Sequence, residues 1–273
     1  MQYDYFNNAI HFHHEAEYER PRVRFTSEHH NFYEIYYLES GDVEYIVQGK
    51  SYQINPGDIL LIGINEVHTQ IINKEFYERF VLQFSTYSLP FDPKIINMLM
   101  SLFTPEHRLI PSNIAAEFKC LSYLKKIERY CLDPEDEYFA TNLNVTIIQL
   151  VAQLHKALKK TAKLQPSATA NTNIVEKAIA FIDSHICDEN LTLDRIAQEL
   201  FVDKFYLSHS FSDKLHMPLK QYVMRKKMYQ ADALIKSGMS ITKAATTVGY
   251  ENYHSFFYGY KKIFGRSPSV SKK

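Results

Sequence analysis

The N-terminal part of the chain shows the hydrophobic pattern of short β-strands. Runs rich in aromatic and β-branched residues are separated by Gly-Asp, Gly-Lys and Asn-Pro-Gly-Asp turn signals. The runs are FYEIYYLES (32–40), VEYIVQ (43–48), SYQI (51–54), ILLIGI (59–64) and a pair within residues 70–85. Short runs spaced in this way are typical of antiparallel sheets. The pattern therefore predicts an antiparallel sandwich or barrel.

The periodicity changes near Pro93. Segments 95–102, 114–131 and 138–158 place apolar residues at i, i+3, i+4 and i+7, which predicts amphipathic helices. One face of the third segment carries an apolar stripe formed by Leu143, Ile147, Leu150, Val151, Leu154 and Leu158. Such a stripe packs within its own domain or forms a subunit contact, and both interpretations remain open. We expect a homodimer.

Residues 163–173, KLQPSATANTN, combine Pro and small polar residues without apolar periodicity. This composition predicts a linker. It is expected to separate a domain at 1–162, built from the strands and the amphipathic helices, from a domain at 174–273 in which every pattern is helical.

An internal repeat organises the C-terminal domain. LTLDRIAQELFVDK (191–204) aligns with MSITKAATTVGYEN (239–252), and FYLSHSFSDKLH (205–216) aligns with HSFFYGYKKIFG (254–265). Ala197 and Ala245 supply the small residue that two crossing helices need at their contact. A continuous helical pattern at 219–236 joins the copies. The predicted fold class is α+β, with an N-terminal antiparallel β-barrel and following helices, then an all-α domain of two helix–turn–helix units joined by a long helix.

Helix-capping residues support the repeat. Thr192 and Ser240 precede the first helix of each copy, and Asp203 precedes the second helix of the first copy. These residue types accept hydrogen bonds from free backbone N–H groups at helix starts.

The second helix of each copy has an apolar face and an opposite face that carries rings and polar groups. Phe256, Tyr260 and Ile263 share one face of the second copy. The residues predicted to point outward are Phe205, Ser208, His209 and Ser212 in the first copy and His254, Phe257, Tyr258 and Lys261 in the second. In a major groove, outward rings can contact thymine methyls. The alternative is a plain helical bundle.

The charge distribution favours DNA as a partner of one half of the chain. The chain has 31 Lys+Arg and 31 Asp+Glu, but residues from 171 onward have 15 and 10, leaving 16 and 21 for the rest. A basic half behind an acidic half suggests that only one domain binds a polyanion.

Other sequence features exclude several classes of protein. Cys120, Cys131 and Cys187 are scattered without a CxxC pair, which fits a reducing compartment. No signal peptide or membrane-length apolar run is evident, so we expect a cytoplasmic protein without a membrane partner. Catalytic motifs are absent, and we expect neither an enzyme nor a cofactor.

The segment AATTVGYENYHSFFYGYKKIFGRSP, which ends at Pro268, resembles the signature of AraC-family transcription regulators. The resemblance implies that two recognition helices enter successive major grooves on one face of double-stranded DNA. It implies base contacts by Lys204, Phe205, Ser208, His209, Ser212, Tyr253, His254, Phe257, Tyr258 and Lys261. It implies phosphate contacts by Thr192, Lys214, Ser240, Lys243 and Lys262.

The chain departs from this family in two informative ways. Phe201 and His216 stand where the second copy has Gly249 and Gly265, so the first unit is strained if these positions need a positive φ. The outward faces also lack Arg, the usual partner of guanine. We therefore predict a DNA site rich in A·T pairs, which a G·C-dominated consensus would contradict.

The N-terminal domain resembles the cupin barrel fused to many AraC-family regulators, through residues 28–34, Gly41, residues 56–58 and His68. His30, Glu34 and His68 match ligand positions of metal-binding cupins, but Glu28 replaces the first histidine. We therefore expect no metal. The segment HFHHEAE (11–17) is a mobile arm or a first strand, and its composition alone would also permit metal binding.

The barrel is predicted to bind a small molecule, because Glu34 and Tyr36 share a strand face with Phe32 and a carboxylate there needs a partner. Polar and aromatic lining suits a sugar or glycoside, and the family resemblance points the same way. The predicted ligand-binding residues are Arg24, His30, Glu34, Tyr36 and His68.

The leading hypothesis is a DNA-binding regulator controlled by a sugar. The alternatives are a constitutive DNA-binding protein whose barrel only dimerises, with these polar residues closing a structural network, and a metal-dependent cupin enzyme. The residues do not decide between activation and repression; RNA polymerase would be a partner of an activator.

Overall fold

The computed structural model describes residues 3–6, 10–18, 23–24, 30–85, 92–103, 108–164 and 173–272. The chain forms two compact units. The first spans Met1–Val47 and Ser51–Ala170, and the second spans Asn171–Lys273 together with Gln48–Lys50.

The described part of the first unit contains two antiparallel sheets. Strands β1 (Tyr3–Phe6), β2 (Ile10–Tyr18), β4 (Tyr33–Ser40), β7 (Ile59–Ile62), β9 (Phe76–Phe84) and β10 (Leu109–Ile110) form the first, in the order β1-β2-β9-β4-β7-β10. Strands β3 (Val23–Arg24), β5 (Val43–Val47), β6 (Lys50–Ile54) and β8 (His68–Ile72) form the second, in the order β3-β8-β5-β6. The antiparallel architecture predicted from the turn signals is confirmed. HFHHEAE lies within β2, so the strand interpretation of this segment holds and the mobile-arm interpretation is wrong.

The six-stranded sheet has an apolar core on each face, which is why its central strands β4 and β7 are almost continuously buried. Tyr36, Leu38 and Val81 pack on one face with Val43 and Ile72 of the four-stranded sheet. Residues of the opposite face pack against the following helices. A strand that buries both faces shows a run of apolar residues rather than alternation.

In the described part of the first unit, four helices cover the outer face of the six-stranded sheet. They are α1 (Pro93–Leu102), α2 (Ser112–Glu117), α3 (Cys120–Cys131) and α4 (Phe139–Leu164). The single helix predicted at 114–131 is wrong, because Lys119 adopts a left-handed conformation with φ 55° and separates α2 from α3.

The apolar stripe of α4 packs within its own unit. All six of its residues are buried there, against the sheet and its neighbouring helices. Helix α4 continues to Leu164, so Lys163 and Leu164 of the predicted linker are helical, and 165–172 lie outside the described residues.

The second unit is helical, and its two copies have the same order of elements. Helix α5 (Ile174–Ser184) precedes the first copy, α6 (Leu193–Glu199) and α7 (Lys204–Leu215). Helix α8 (Leu219–Lys236) joins it to α9 (Ile241–Thr247) and α10 (Tyr253–Phe264), and a 3₁₀ turn covers Pro268–Lys272. The predicted fold class is confirmed by the sheets and the paired helices.

The first helix of each copy ends in the same hydrogen-bonded turn. After α6, Phe201 N–H donates to Gln198 at 3.1 Å and Val202 N–H donates to Ala197 at 3.0 Å. After α9, the N–H groups at 249 and 250 bond in the same way to Thr246 and Ala245, both at 3.0 Å. This Schellman pattern needs a left-handed residue at its first position after the cap.

Among the described helices, none combines the length and apolar character needed to cross a membrane.

Candidate nucleic-acid interface and effector site

Side-chain caps define where α7 and α10 begin. Asp203 accepts hydrogen bonds from the N–H groups of Phe205 at 2.8 Å and Tyr206 at 3.0 Å. Asn252 caps α10 in the same way, accepting from His254 at 2.8 Å and Ser255 at 3.4 Å. The sequence analysis missed Asn252, because its alignment of the two copies places Glu251, and not Asn252, opposite Asp203; Asn is nevertheless a common N-cap residue.

In α10, the structure separates the two faces predicted from the sequence. Phe256 and Tyr260 are buried in the core of the second copy, with ring centroids 5.7 Å apart. His254, Tyr258 and Lys261 are exposed. Phe257 was predicted to point outward but is half-buried. Its ring packs beside those of Tyr253 and Tyr258, with the ring centroids 6.2 Å apart in each pair.

Helix α7 is divided in a similar way, but its exposed face is less apolar than that of α10. Leu207, Phe211 and Leu215 are buried. Phe205 and His209 are exposed, while Ser208 is half-buried. The remaining predicted base-contact residues are Lys204 and Tyr253, which are exposed, and Ser212, which is half-buried.

Lys204 has a partner within its own unit. Its Nζ lies 2.8 Å from Asp194 Oδ1, and both side chains are well exposed. Such a pair contributes little to stability, so Lys204 can exchange Asp194 for a phosphate or a base edge at small cost.

Most predicted phosphate-contact residues lie at helix ends. Thr192 and Ser240 accept hydrogen bonds from the third N–H of α6 and α9, each at 3.3 Å. Each hydroxyl still carries a proton, which it can donate to a phosphate oxygen. Lys243 and Lys262 are exposed, and Lys214 is half-buried.

A cavity of about 330 Å³ brings two predicted DNA-contact residues together. Thr192 and Ser208 line it with Pro218 and Lys220, at the start of α8. The sequence analysis missed Lys220, because only the tertiary arrangement places the start of α8 beside the first helix–turn–helix unit.

In the first unit, a polar cluster lies at one end of the space between the two sheets. His30 Nε2 lies 2.8 Å from Glu34 Oε2, and one ligand-type atom from each of His30, Glu34 and His68 falls within 4.8 Å of the others. The Gln83 amide donates to Glu34 at 2.8 Å, and Tyr45 donates to Glu34 at 3.5 Å. Two predicted ligand residues, His30 and His68, therefore lie close to the carboxylate of a third, Glu34.

The Glu34 carboxylate is ionised in this setting. Burial alone would raise the pKa of Glu34. The His30 hydrogen bond, the positive potential of His68 and His30 and the Gln83 hydrogen bond outweigh it, and they lower the pKa well below its ordinary value. The cluster therefore contains an ionised carboxylate.

A second polar group faces the same space. Tyr36 is fully buried, and burial raises the pKa of its hydroxyl, so the hydroxyl stays protonated. Arg79 is nearly buried, forms an ion pair with Glu15 through Nη2 and lies over the Tyr77 ring at 4.7 Å. Within the described part of the chain, neither Tyr36 Oη nor Arg79 Nη1 has a hydrogen-bond partner.

The sequence analysis identified this space but missed part of its lining. Arg79, Gln83 and Tyr45 were not singled out, because strand register, which the sequence does not show, decides which residues of β9 and β5 face inward. The Arg24 side chain and Glu28 lie outside the described residues.

The architecture defines a class of protein: a helical DNA-binding unit with two helix–turn–helix motifs, preceded by a β-sheet domain with a polar interior. The model of the AraC-like ligand binding domain matches residues 11–172, and a helix-turn-helix domain model matches residues 196–273. The chain therefore belongs to the AraC family of transcription regulators. It is a DNA-binding regulator with an N-terminal ligand-binding domain, and not an enzyme.

Three curated relatives share most of the chain. The melibiose operon regulatory protein of Escherichia coli strain K12 is 22% identical over 95% of this chain and 87% of its own length. The HTH-type transcriptional activator RhaS of Escherichia coli O81 is 21% identical over 91% of this chain and 87% of its own length. The arabinose operon regulatory protein of Escherichia coli strain K12 is 25% identical over 81% of this chain and 74% of its own length.

Proposed function

We propose that this regulator responds to a sugar or glycoside bound between the two sheets of the first unit. The observation that carries the proposal is a pair of buried polar atoms, Tyr36 Oη and Arg79 Nη1, that have no hydrogen-bond partner among the described residues. A buried polar group without a partner costs about 1–3 kcal/mol, which a ligand hydroxyl can recover by accepting from Arg79 and bonding Tyr36.

The charges around this space favour a neutral ligand. Arg79 is paired with Glu15, and Glu34 is paired with His30. An additional carboxylate would leave one buried charge uncompensated, whereas hydroxyl groups add none. Two relatives are named as melibiose and arabinose operon regulators, which supports a sugar as the effector.

At the DNA, α7 and α10 would enter successive major grooves. The predicted base contacts come from their exposed faces, and the predicted phosphate contacts come from Thr192, Ser240 and neighbouring lysines. The regulator would act in the cytoplasm as a homodimer and would contact RNA polymerase if it activates transcription; one relative is named an activator.

The experiment is equilibrium binding of the full chain to duplex DNA from upstream of its own and neighbouring genes. Binding is measured across salt concentrations, with and without a panel of mono- and oligosaccharides. We expect tight, salt-steep binding that one sugar shifts. Specific binding that no sugar changes would favour the constitutive alternative, and binding no tighter than to random duplex would contradict the regulator itself.

A further inference from the structure

We propose that the cavity at the start of α8 binds a small organic carboxylate with an apolar body, and that this ligand competes with DNA. The cavity has a volume of about 330 Å³ and lies in the second unit, beside the first helix–turn–helix motif. Small-molecule sites in proteins have volumes of about 300–1,000 Å³, so this cavity suits a molecule of modest size. The proposed sugar site, in contrast, belongs to the first unit.

The walls of the cavity are aliphatic. Leu191, Leu219 and Val223 are buried side chains that line it, and Leu193 is half-buried. They come from the segment before α6, from the first residue of α6 and from the first turns of α8. Such walls are covered favourably by an apolar ligand surface, which leaves water when it binds. They therefore favour a ligand with a hydrocarbon body over a free inorganic ion.

The polar side chains that line the cavity are one cation and two hydroxyl groups. They belong to Lys220, Thr192 and Ser208, and none of the described residues that line the cavity is acidic. Lys220 is exposed, and its ammonium group has no ion-pair or hydrogen-bond partner among the described residues. An ammonium group and two hydroxyls can all donate to a carboxylate, and hydrogen bonds to an ionised group are the stronger ones. The lining is therefore complementary to an organic anion.

The charge of the lining indicates which anion fits. Lys220 is the one cation among the described residues of the lining, so it compensates a single negative charge. A phosphate monoester would bring about −1.5 to −2 charges between aliphatic walls, and part of that charge would have no partner. A monocarboxylate matches the single lysine.

The internal repeat explains why this space is open in the first copy. Ser208 of α7 aligns with Phe257 of α10, because 205–216 aligns with 254–265. Phe257 is half-buried, so a ring at this position packs against its own unit. A serine side chain leaves free the space that a phenyl ring would occupy. Placing Phe at position 208 should therefore fill the cavity.

The ligand and DNA would need the same side chains. Thr192 is a predicted phosphate contact, and Ser208 is a predicted base contact. A carboxylate that accepts from both hydroxyls makes them unavailable to DNA, and its negative charge repels the phosphates. Competition with DNA rests on these proposed contacts, whereas binding of the carboxylate does not.

The test titrates the purified full chain with 3-phenylpropionate as the probe, in the absence of DNA, by calorimetry and by ligand-observed nuclear magnetic resonance. The neutral analogue 3-phenylpropan-1-ol lacks the charge, and acetate lacks the apolar body. We expect 3-phenylpropionate to bind in equimolar amount. Both comparison compounds should bind at least about tenfold more weakly, because each loses one of the two complementary interactions.

Two variants and one matched control assign the site. Ser208→Phe fills the cavity and Lys220→Gln removes its charge, so each should weaken binding of 3-phenylpropionate at least about tenfold. Lys177→Gln removes another exposed charge, from α5, and should bind the probe like the parent protein. Far-ultraviolet circular dichroism checks that each variant folds.

Competition is measured by fluorescence anisotropy of labelled duplex DNA. Saturating 3-phenylpropionate should lower the DNA affinity of the parent protein at least about tenfold and leave that of Lys220→Gln unchanged. An unchanged affinity of the parent protein would overturn the competition.

Three results of the titrations would overturn the site itself. The first is failure of the parent protein to bind 3-phenylpropionate. The second is equal binding by the parent and by both cavity variants, which would place the ligand elsewhere. The third is equal binding of the neutral alcohol, which would remove the role of the carboxylate. These titrations contain no DNA and no sugar, so their outcome is separate from that of the proposed function.

Discussion

Two bulky residues hold left-handed backbone conformations in the first helix–turn–helix unit. Phe201 has φ 55° and His216 has φ 51°, while Gly249 and Gly265 hold φ 75° and 66° in the second copy. The sequence analysis predicted strain in the first unit if these two positions need a positive φ. Both residues have a positive φ, so this strain is present. An L-residue with a side chain pays a steric cost in this region that Gly does not.

Replacing Phe201 by Gly should stabilise the protein. The Phe201 side chain is 94% exposed, so its removal loses no packing. We expect Phe201→Gly to raise the free energy of unfolding by about 1 kcal/mol, because the steric cost of the left-handed conformation exceeds the extra chain entropy of Gly. Urea unfolding of the full chain measures the change.

The matched control is Gly249→Ala at the repeat position. A Cβ there would lie 2.8 Å from Lys227 Nζ and 2.9 Å from the Asp188 carbonyl carbon. This variant should lose stability. A Phe201→Gly variant no more stable than the parent would contradict the strain argument.

Removing the Tyr36 hydroxyl should weaken the response to the sugar without lowering the stability of the fold. Tyr36→Phe deletes a buried hydroxyl without a described partner, so the free energy of unfolding should stay the same or rise by up to about 1 kcal/mol. Loss of a ligand contact should weaken the effect of the sugar on DNA affinity at least about tenfold. Unfolding and DNA-binding titrations measure the two effects.

Tyr77→Phe provides the comparison for Tyr36. Its hydroxyl donates to Glu17 at 3.0 Å, so its loss should reduce stability by about 0.5–1.5 kcal/mol. A large stability loss in Tyr36→Phe, or an unchanged sugar response, would argue against the proposed contact.

At the scale of elements, α7 and α10 combine a buried apolar face with an exposed face that carries no Arg. Tyr258 is 71% exposed and Phe205 is 67% exposed. Rings on a solvated helix are unfavourable unless a partner covers them. These faces therefore favour contacts with thymine methyls over bidentate contacts with guanine.

Selection of binding sites from random duplex DNA should yield an A·T-rich consensus. The reason is that methyl contacts and groove shape replace the missing guanine contacts. Sequencing of the selected duplexes measures the composition. Invariant G·C pairs at the central positions of both half-sites would contradict this prediction.

Replacement of two lysines, one at a time, should distinguish a phosphate contact from a general effect of positive charge on DNA binding. Lys262→Ala should weaken binding to specific and random duplex alike and reduce the slope of log K against log salt by about 0.9. Lys177→Ala removes another exposed charge, from α5, and should change the slope far less. The measurement is binding across salt concentrations for the parent protein and both variants.

His254, a predicted base-contact residue, should behave differently from the lysines. His254→Ala should cost about 1–3 kcal/mol at the specific site and leave binding to random duplex unchanged. Equal losses on both duplexes would assign His254 to the DNA backbone instead.

At the scale of the whole molecule, the proposed sugar site and the helix–turn–helix motifs belong to different units of one chain. If a sugar changes the affinity for DNA by some factor, DNA must change the affinity for that sugar by the same factor. Calorimetric titration of the sugar into the free protein and into its DNA complex should give this matching ratio. Equal sugar affinities, together with sugar-independent DNA binding, would favour the constitutive alternative.

Much of the fold was predictable because the relevant signals are local in the sequence. Turn residues and apolar runs predicted the antiparallel strands, and the repeat between 191–204 and 239–252 predicted the paired helix–turn–helix units. The helix at 114–131 was wrong because no Gly or Pro marks the break at Lys119. The α4 stripe was ambiguous because an apolar face does not reveal which surface covers it.

The sequence by itself determined the fold class, the family and the outward faces of α7 and α10, since helical periodicity assigns faces without knowledge of the rest of the chain. Only the tertiary structure decided that Arg79, Gln83 and Tyr45 share the interior with Tyr36 and Glu34, and that His68 reaches His30. Those contacts depend on strand register and on the pairing of sheets. Both arise from packing between residues far apart in the sequence.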